Sequence, residues 1–213
     1  MFHWLRHGEH VLRGRVLAGR TPGVGLSEKG RAEVVAIADR LADEKIAALY
    51  SSPLQRARET AEILSTRLGL PIQYRDDLLE LDFGAWTGLT YDAVRSDERW
   101  QLWSTCRSIA CVPGGESMRQ VQERAVRALF DLREVHGDGE VLIVSHGDVI
   151  RAVLLFALGM PLDFYSRIEV GLASLNTIQI DNTGVRVLAV NERPHLPRHP
   201  SIATGSPAPT RRQ

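Results

Sequence analysis

The sequence predicts an α/β fold, built as a three-layer sandwich with a mainly parallel central sheet flanked by helices. The first observation is that short apolar runs alternate with longer segments of helical periodicity along most of the 213 residues. The second is that two of these runs, at 2–5 and 141–144, each lead into a His-Gly pair. Buried parallel strands read as apolar runs, so both pairs are expected at the carboxyl ends of strands.

The first half of the chain is expected to hold two strands, each followed by a helix. A Gly/Arg-rich loop over 13–25 follows the first strand, and Ser27 caps the first helix. A short strand at 47–50 precedes the second helix, which Ser52 caps with Pro53 at its first position. The apolar faces of the two helices consist of Val34, Ile37, Ala38 and Leu41, and of Ala57, Ala61, Leu64 and Leu68.

The second half begins with an irregular segment and returns to regular elements. Residues 76–115 lack a clear periodicity and hold three of the four tryptophans. A long amphipathic helix is predicted from Met118 to near Gly137. Runs at 175–180 and 185–190, joined through an Asn-Thr-Gly turn, predict an antiparallel hairpin.

Composition excludes several classes of partner. Lys plus Arg and Asp plus Glu each number 26, so a general affinity for nucleic acid or for a membrane surface is not expected. The two cysteines are too few for a disulfide scaffold and lack the neighbours of a zinc site. With no secretory leader and no spanning run predicted, we expect a cytoplasmic protein, and nothing in the composition disfavours a homodimer.

Two histidines carry the strongest chemical signal. Parallel strands end at one edge of a sheet, so His7 and His146 are expected to converge there, with Arg6 beside them. The Gly after each His would let the backbone approach a ligand. Arg56 lies in the first turn of the second helix, where free N–H groups favour an anion. Guanidinium groups match the oxygens of phosphate, so the pattern predicts phosphate chemistry through a histidine.

The chain resembles the histidine phosphatase superfamily, the phosphoglycerate mutase-like proteins. The resemblance rests on five motifs and covers nearly everything before the C-terminal hairpin. The motifs are R-H-G-E at 6–9, S-S-P-L-x-R-A at 51–57, L-x-E-x-x-F-G-x-W-x-G at 78–88, P-G-G-E-S at 113–117 and V-S-H-G at 144–147.

This resemblance implies a role for each matching residue. His7 would be the nucleophile that forms a phosphohistidine, and Glu80 would be the general acid. The catalytic set would be completed by His146, which would also bind the phosphoryl oxygens. The other phosphate-binding residues would be Arg6, Arg56 and Gly147. No cofactor and no metal are expected, because the arginines would neutralise the phosphate.

Some neighbouring residues are left as alternatives. The aspartates near Glu80 are Asp76, Asp77 and Asp82, and only the motif separates Glu80 from them as the acid. His10 is expected at the pocket rim. Many members of the superfamily have an Asn on the phosphate shortly after the first motif, and this chain has none there. Arg13 is the candidate replacement, and Arg13 and Glu116 are expected at the rim of the substrate pocket.

The resemblance also predicts how the chain is divided. Residues 1–192 are expected to form one histidine phosphatase domain, in which residues 84–115 cap the substrate. Residues 193–213 hold five of the ten prolines, four arginines and no acidic residue, and are expected to form a flexible tail.

Three functions are compatible with the motifs. The favoured one is a metal-independent phosphomonoesterase of the histidine acid phosphatase type, acting on a small phosphorylated metabolite through a phosphohistidine. A cofactor-dependent phosphoglycerate mutase is the second, and the short segment before Glu116 disfavours it. A non-catalytic module that binds phosphate esters is the third, and the presence of both histidines and the acid disfavours it. The substrate is left open among sugar phosphates, α-ribazole phosphate, phosphoglycerates and nucleotides.

Overall fold

The computed structural model describes residues 1–193. The expected flexible tail over residues 193–213 therefore lies, apart from Arg193, outside the described residues. Within them, no helix is long and apolar enough to cross a membrane.

The centre of the fold is a six-stranded sheet in the order β3-β2-β4-β1-β5-β6. The four strands at one side run parallel, and β5 and β6 pair antiparallel to complete the sheet. This confirms the mainly parallel sheet and the C-terminal hairpin. The strands are β1 (Phe2–Arg6), β2 (Ile46–Ser51), β3 (Ile72–Tyr74), β4 (Glu140–Ser145), β5 (Leu175–Asp181) and β6 (Gly184–Glu192).

Helices cover both faces of the sheet, as the fold class requires. The side chains of β4 alternate: Val141 and Ile143 enter one apolar cluster, and Leu142 and Val144 enter the other. The first cluster lies under α5 and α6, and the second lies under α1 and α2. The helices are α1 (Glu28–Arg40), α2 (Gln55–Leu68), α3 (Tyr91–Arg95), α4 (Glu98–Thr105), α5 (Met118–His136) and α6 (Gly147–Ala157).

The predicted start of α2 is wrong. Ser52 and Pro53 precede the helix, which begins at Gln55 after Leu54 in an extended conformation (φ −65°, ψ 137°). The Ser52 hydroxyl instead forms a 2.7 Å hydrogen bond with Nε2 of His146, just after the end of the neighbouring strand β4. Ser27 does cap α1, as predicted, by accepting a hydrogen bond from the Gly30 amide.

The segment 76–115 is more ordered than its sequence suggests. It contains the two short helices α3 and α4, and the two tryptophans of α4, Trp100 and Trp103, pack on Trp86. The indole of Trp86 donates a hydrogen bond to Asp97, which also caps α4. Each of these two helices is too short to show a helical periodicity, which is why the sequence did not reveal them.

Two glycines allow this segment to cross the loop before α5. A Cβ on Gly84 would lie 2.3 Å from the carbonyl oxygen of Pro113, and Gly84 has φ +43°. A Cβ on Gly115 would lie 2.2 Å from the carbonyl oxygen of Asp82. The glycines of two separate motifs are therefore required by one backbone crossing beside Glu80.

Candidate active site

The parallel register of β1 and β4 brings the two histidines together. Arg6 lies opposite Ser145 at the ends of these adjacent strands, so the next residues, His7 and His146, emerge side by side. Their ring centroids are 5.1 Å apart, and both side chains are buried. The convergence predicted from the two His-Gly pairs is present.

Hydrogen bonds define the protonation of His7. Its Nδ1 lies 2.8 Å from the carbonyl oxygen of Gly8, which can only accept, so Nδ1 carries the proton. Nε2 then keeps its lone pair, and Arg56 Nε donates to it at 3.1 Å. The side chain therefore presents an unprotonated nitrogen next to a cation.

The two arginines are held by backbone carbonyls. Nη1 of Arg6 donates to Val170 at 2.7 Å, and Nη2 of Arg56 donates to Gly19 at 2.7 Å. Nε of Arg6 and Nη1 of Arg56 find no hydrogen-bond partner within residues 1–193. Buried donors without partners are rare and costly, so these groups point to an anion as their missing acceptor.

His146 lies at the amino end of α6. When Ser52 donates to Nε2, the proton of the neutral ring resides on Nδ1, an atom with no partner among the described residues. The free N–H groups at the start of α6, beginning with Gly147, add a partial positive charge. Nδ1 of His146 and the first N–H groups of α6 are therefore further hydrogen-bond donors for an oxyanion at this edge of the sheet.

The glycines after the two histidines are also required by packing inside the protein. A Cβ on Gly8 would lie 2.5 Å from the carbonyl oxygen of Gly30, so Gly8 admits α1. A Cβ on Gly147 would lie 3.2 Å from Cζ of Arg6, so Gly147 leaves room for that guanidinium.

Burial and positive charge keep both histidines neutral. Desolvation, followed by the charge of Arg56, holds the pKa of His7 well below its usual value. The same two causes lower the pKa of His146. Desolvation lowers the pKa of Arg56 to about 10, so the guanidinium stays charged near neutral pH.

Glu80 has the opposite electrostatic character. Its side chain is buried, and its Oε1 accepts a hydrogen bond from the adjacent Leu81 amide. Desolvation, reinforced by the negative charge of Asp148, raises the pKa of Glu80 to about 7. The carboxyl can therefore carry a proton near neutral pH and release it, which a general acid and base must do.

Glu116, expected at the pocket rim, lies instead behind Glu80. It accepts hydrogen bonds from Arg20 at 2.8 Å and from Arg124 at 3.0 Å. Both arginines also donate to the backbone carbonyl of Glu80. Glu116 therefore fixes the two side chains that hold Glu80 in place.

Two of the aspartates considered as alternatives to Glu80 have arginine partners outside the cavity. Asp77 pairs with Arg75, and Asp82 lies 3.8 Å from Arg20. Arg13, the candidate for the missing Asn, pairs with Glu9. None of Asp77, Asp82 and Arg13 lines the cavity at the site.

One cavity of about 200 Å³ joins the predicted residues. Pockets for drug-sized ligands are typically about 300–1,000 Å³, so this one suits a small molecule. Of the predicted residues, it is lined by Arg6, His7, His10, Arg56, Glu80 and Gly147. His146 and Glu116 are not part of its lining.

Sequence reasoning missed one part of the wall of this cavity. Arg107, Asp148, Arg151 and Tyr165 form a polar cluster in the wall beyond Glu80. Tyr165 donates to Asp148 and accepts from Arg151. Asp148 follows His146 by two residues, and that spacing is the one signal that could have drawn attention to it.

Metal ligation has no support in the arrangement of side chains. Over residues 1–193, no three His, Cys, Asp or Glu side chains are grouped so that they could hold a metal ion.

Comparison with known proteins identifies relatives along the whole described chain. The sequence model of the histidine phosphatase superfamily (branch 1) matches residues 2–193. The bifunctional protein Rv2228c of Mycobacterium tuberculosis is 37% identical over 196 residues, covering 90% of this chain and 54% of the relative. The chain therefore spans about half the length of this relative.

Two further relatives are named for a phosphatase activity. The metal-independent phosphoserine phosphatase of Arabidopsis thaliana is 34% identical over 159 residues, which cover 71% of this chain and 66% of that protein. The structure of the mycobacterial glucosyl-3-phosphoglycerate phosphatase superposes with a TM-score of 0.80 at 27% identity. That match covers 89% of this chain and 97% of the other.

Proposed function

The chain belongs to branch 1 of the histidine phosphatase superfamily, and from this membership and its site geometry we propose that it is a metal-independent phosphomonoesterase. The observation that carries the proposal is the surroundings of His7. A buried, unprotonated Nε2 lies 3.1 Å from Arg56 Nε, and buried donors of Arg6, Arg56 and His146 lack acceptors.

The first step would form a phosphohistidine. Nε2 of His7 attacks phosphorus, and the bond from phosphorus to the ester oxygen breaks. The proton of Glu80 passes to the departing oxygen, which leaves as an alcohol. Arg6 and Arg56 stabilise the negative charge on the other phosphoryl oxygens throughout.

The second step would return the enzyme to its starting state. The Glu80 carboxylate takes a proton from water, and the resulting hydroxide attacks phosphorus. The bond between phosphorus and Nε2 breaks, which releases inorganic phosphate and restores the neutral imidazole of His7. Glu80 is then protonated again, so protons and charges balance over the cycle.

Two arginines support a mechanism without a divalent ion. In many phosphoryl-transfer enzymes Mg²⁺ neutralises the phosphoryl oxygens. Here Arg6 and Arg56 supply two fixed positive charges beside the nucleophile, and both are held in place by backbone carbonyls. Relatives named as phosphatases, one of them named as metal-independent, support the same assignment.

The experiment is a phosphate-release assay on the full chain with p-nitrophenyl phosphate. The wild type should release phosphate, and His7→Asn should lose the activity. His136→Gln is the matched control, because His136 lies at the end of α5 and contacts Tyr50 rather than the site. Interconversion of 2- and 3-phosphoglycerate in place of phosphate release would favour the mutase alternative. Binding of vanadate without any turnover would favour a non-catalytic module.

A further inference from the structure

We propose that Arg107 binds a carboxylate on the leaving alcohol, so that the substrate is the phosphate ester of a small hydroxy acid. This proposal rests on the phosphomonoesterase function and adds the chemical class of the substrate. It concerns the part of the cavity wall that contains Arg107, Asp148, Arg151 and Tyr165, residues to which the resemblance assigned no role.

The Arg107 guanidinium is buried and lies over two aromatic rings. Only 8% of the residue is exposed. Cζ lies 3.6 Å from the ring centre of Tyr165 and 4.7 Å from that of Trp103. Cation–π contacts of this kind hold the guanidinium in place, so its donors are positioned before a ligand arrives.

Two N–H groups of Arg107 have no hydrogen-bond acceptor in the part of the chain that the structure describes. Within residues 1–193, neither Nε nor Nη1 makes a hydrogen bond. Nη1 lies 3.5 Å from Oδ1 of Asp148, which is an ion-pair distance, but Asp148 already accepts a hydrogen bond from Tyr165. A buried guanidinium with unused donors is typical of a site that a ligand completes.

The charges of the cavity point to a single negative charge on the leaving group. Four arginines line it, and they are Arg6, Arg56, Arg107 and Arg151. Asp148 offsets one of them, and Glu80 is neutral when it carries the proton that it donates. A phosphate ester contributes a charge of about −1.5 to −2 near pH 7. About one positive charge then stays uncompensated, which a carboxylate would balance and a second phosphate would exceed.

The rest of the outer wall restricts the carbon skeleton. Phe83, Tyr91 and Trp100 line the cavity together with the polar cluster. Aromatic rings contact a short carbon chain favourably, and the volume of the cavity leaves little room for a large group. The site therefore fits a compact phosphorylated hydroxy acid better than a nucleotide.

The test compares two esters that differ in one group. 3-Phosphoglycerate and glycerol 3-phosphate share a three-carbon skeleton, and only the first ends in a carboxylate. The wild type should show a kcat/KM at least about tenfold higher for 3-phosphoglycerate, since a hydrogen bond to a charged group is worth roughly that factor or more.

Variants of Arg107 assign the preference to this side chain. Arg107→Gln should lower kcat/KM for 3-phosphoglycerate by about 10- to 100-fold, mainly through KM, and should affect glycerol 3-phosphate far less. Arg107→Lys, which keeps the charge but not the planar fork, should fall between wild type and Gln. Arg127→Gln is the control, because Arg127 is on α5 and pairs with Glu123 at the surface.

Three outcomes would overturn the proposal. One is that the wild type does not prefer the carboxylate ester. Another is that Arg107→Gln loses activity on both esters equally, which would indicate a structural role. The last is that a three-carbon bisphosphate is preferred to the carboxylate. If p-nitrophenyl phosphate is hydrolysed in any of these cases, the phosphomonoesterase function stands and the carboxylate subsite alone fails.

Discussion

Nε of Arg56 donates a hydrogen bond to Nε2 of His7 over 3.1 Å. The bond joins the amino end of α2 to the carboxyl end of β1, two elements separated by almost fifty residues. A guanidinium cannot accept a proton from an imidazole, so this contact keeps Nε2 unprotonated. It also places a positive charge where the oxygens of a phosphoryl group would lie when Nε2 reaches phosphorus.

Replacing Arg56 by Gln should lower kcat/KM by about 10²- to 10³-fold, a range typical for the loss of one donor to a developing oxyanion. Lys would retain the charge but could not reproduce the contacts to His7 and Gly19, so it should recover only part of the activity. Steady-state kinetics on p-nitrophenyl phosphate provide the measurement. Arg58→Gln serves as the control, since Arg58 lies two residues further along α2 and is exposed. Equal activity of Arg56→Gln and wild type would exclude Arg56 from phosphate binding.

The pH dependence should report the proton on Glu80. Because burial and Asp148 raise its pKa to about 7, the protonated fraction falls as pH rises above that value. kcat/KM for an alkyl phosphate should therefore decrease about tenfold per pH unit on the alkaline side. His7 and His146 have lowered pKa values, so they stay neutral and should not produce an alkaline limb.

A comparison of two leaving groups tests whether Glu80, rather than another carboxyl group, is the general acid. Glu80→Gln should cost about 10²- to 10⁴-fold on an alkyl phosphate, whose alkoxide must be protonated as it departs. The first-turnover burst of nitrophenol should suffer far less, because nitrophenolate is a stable anion near neutral pH. Asp82→Asn is the matched control. An equal loss in burst and alkyl ester cleavage would show that Glu80 is not the acid.

The crossing of the two loops beside Glu80 should be sensitive to a single methyl group. Gly84→Ala should lower the free energy of unfolding by about 3 kcal/mol or more, because its Cβ meets backbone atoms at 2.3–2.6 Å. Gly88→Ala is the control: it has φ +81° but open space around its Cβ, so it should cost only about 1 kcal/mol. Denaturant unfolding of both variants checks this, and equal losses would contradict a steric crossing.

Chelation should leave activity intact. With two arginines beside His7, the phosphoryl oxygens need no divalent ion, so turnover should survive prolonged treatment with EDTA. Vanadate, which adopts the trigonal bipyramidal geometry of the transition state, should inhibit strongly. Complete loss of activity after chelation, restored by Mg²⁺, would refute the metal-independent mechanism.

Much of the fold was predictable because strands and helices of this length show a clear periodicity of apolar residues in the sequence. Five of the six strands, the hairpin, α1 and α5 follow from apolar periodicity and capping residues, whereas the three-residue strand β3 was not predicted. The grouping of His7 and His146 followed from strand polarity alone, since adjacent parallel strands end at the same edge. The anion-binding role of Arg56 followed from its place at the start of a helix, whereas the role of Glu80 depended on motif resemblance, and both roles stay predictions.

Other features were not accessible from the sequence. Ser52 looked like a helix cap because Ser is favoured as a cap and Pro is favoured at the first helical position, and nothing local indicates that His146 contacts it. Glu116 looked like a rim residue, although it holds Arg20 and Arg124 behind Glu80. Arg107 and Tyr165 come from segments without periodicity, and their contact depends on tertiary packing that no local pattern encodes.

The most direct test of the account is to trap the phosphoryl group on the enzyme. Wild-type protein quenched during turnover of a phosphorus-labelled ester should carry acid-labile, base-stable label on His7, up to one equivalent per chain. His7→Ala should carry none. With p-nitrophenyl phosphate as the ester, Glu80→Gln should accumulate more label than wild type, because its first step needs no acid and its second step lacks the base. Label on another residue, or normal turnover by His7→Ala, would contradict the proposed mechanism.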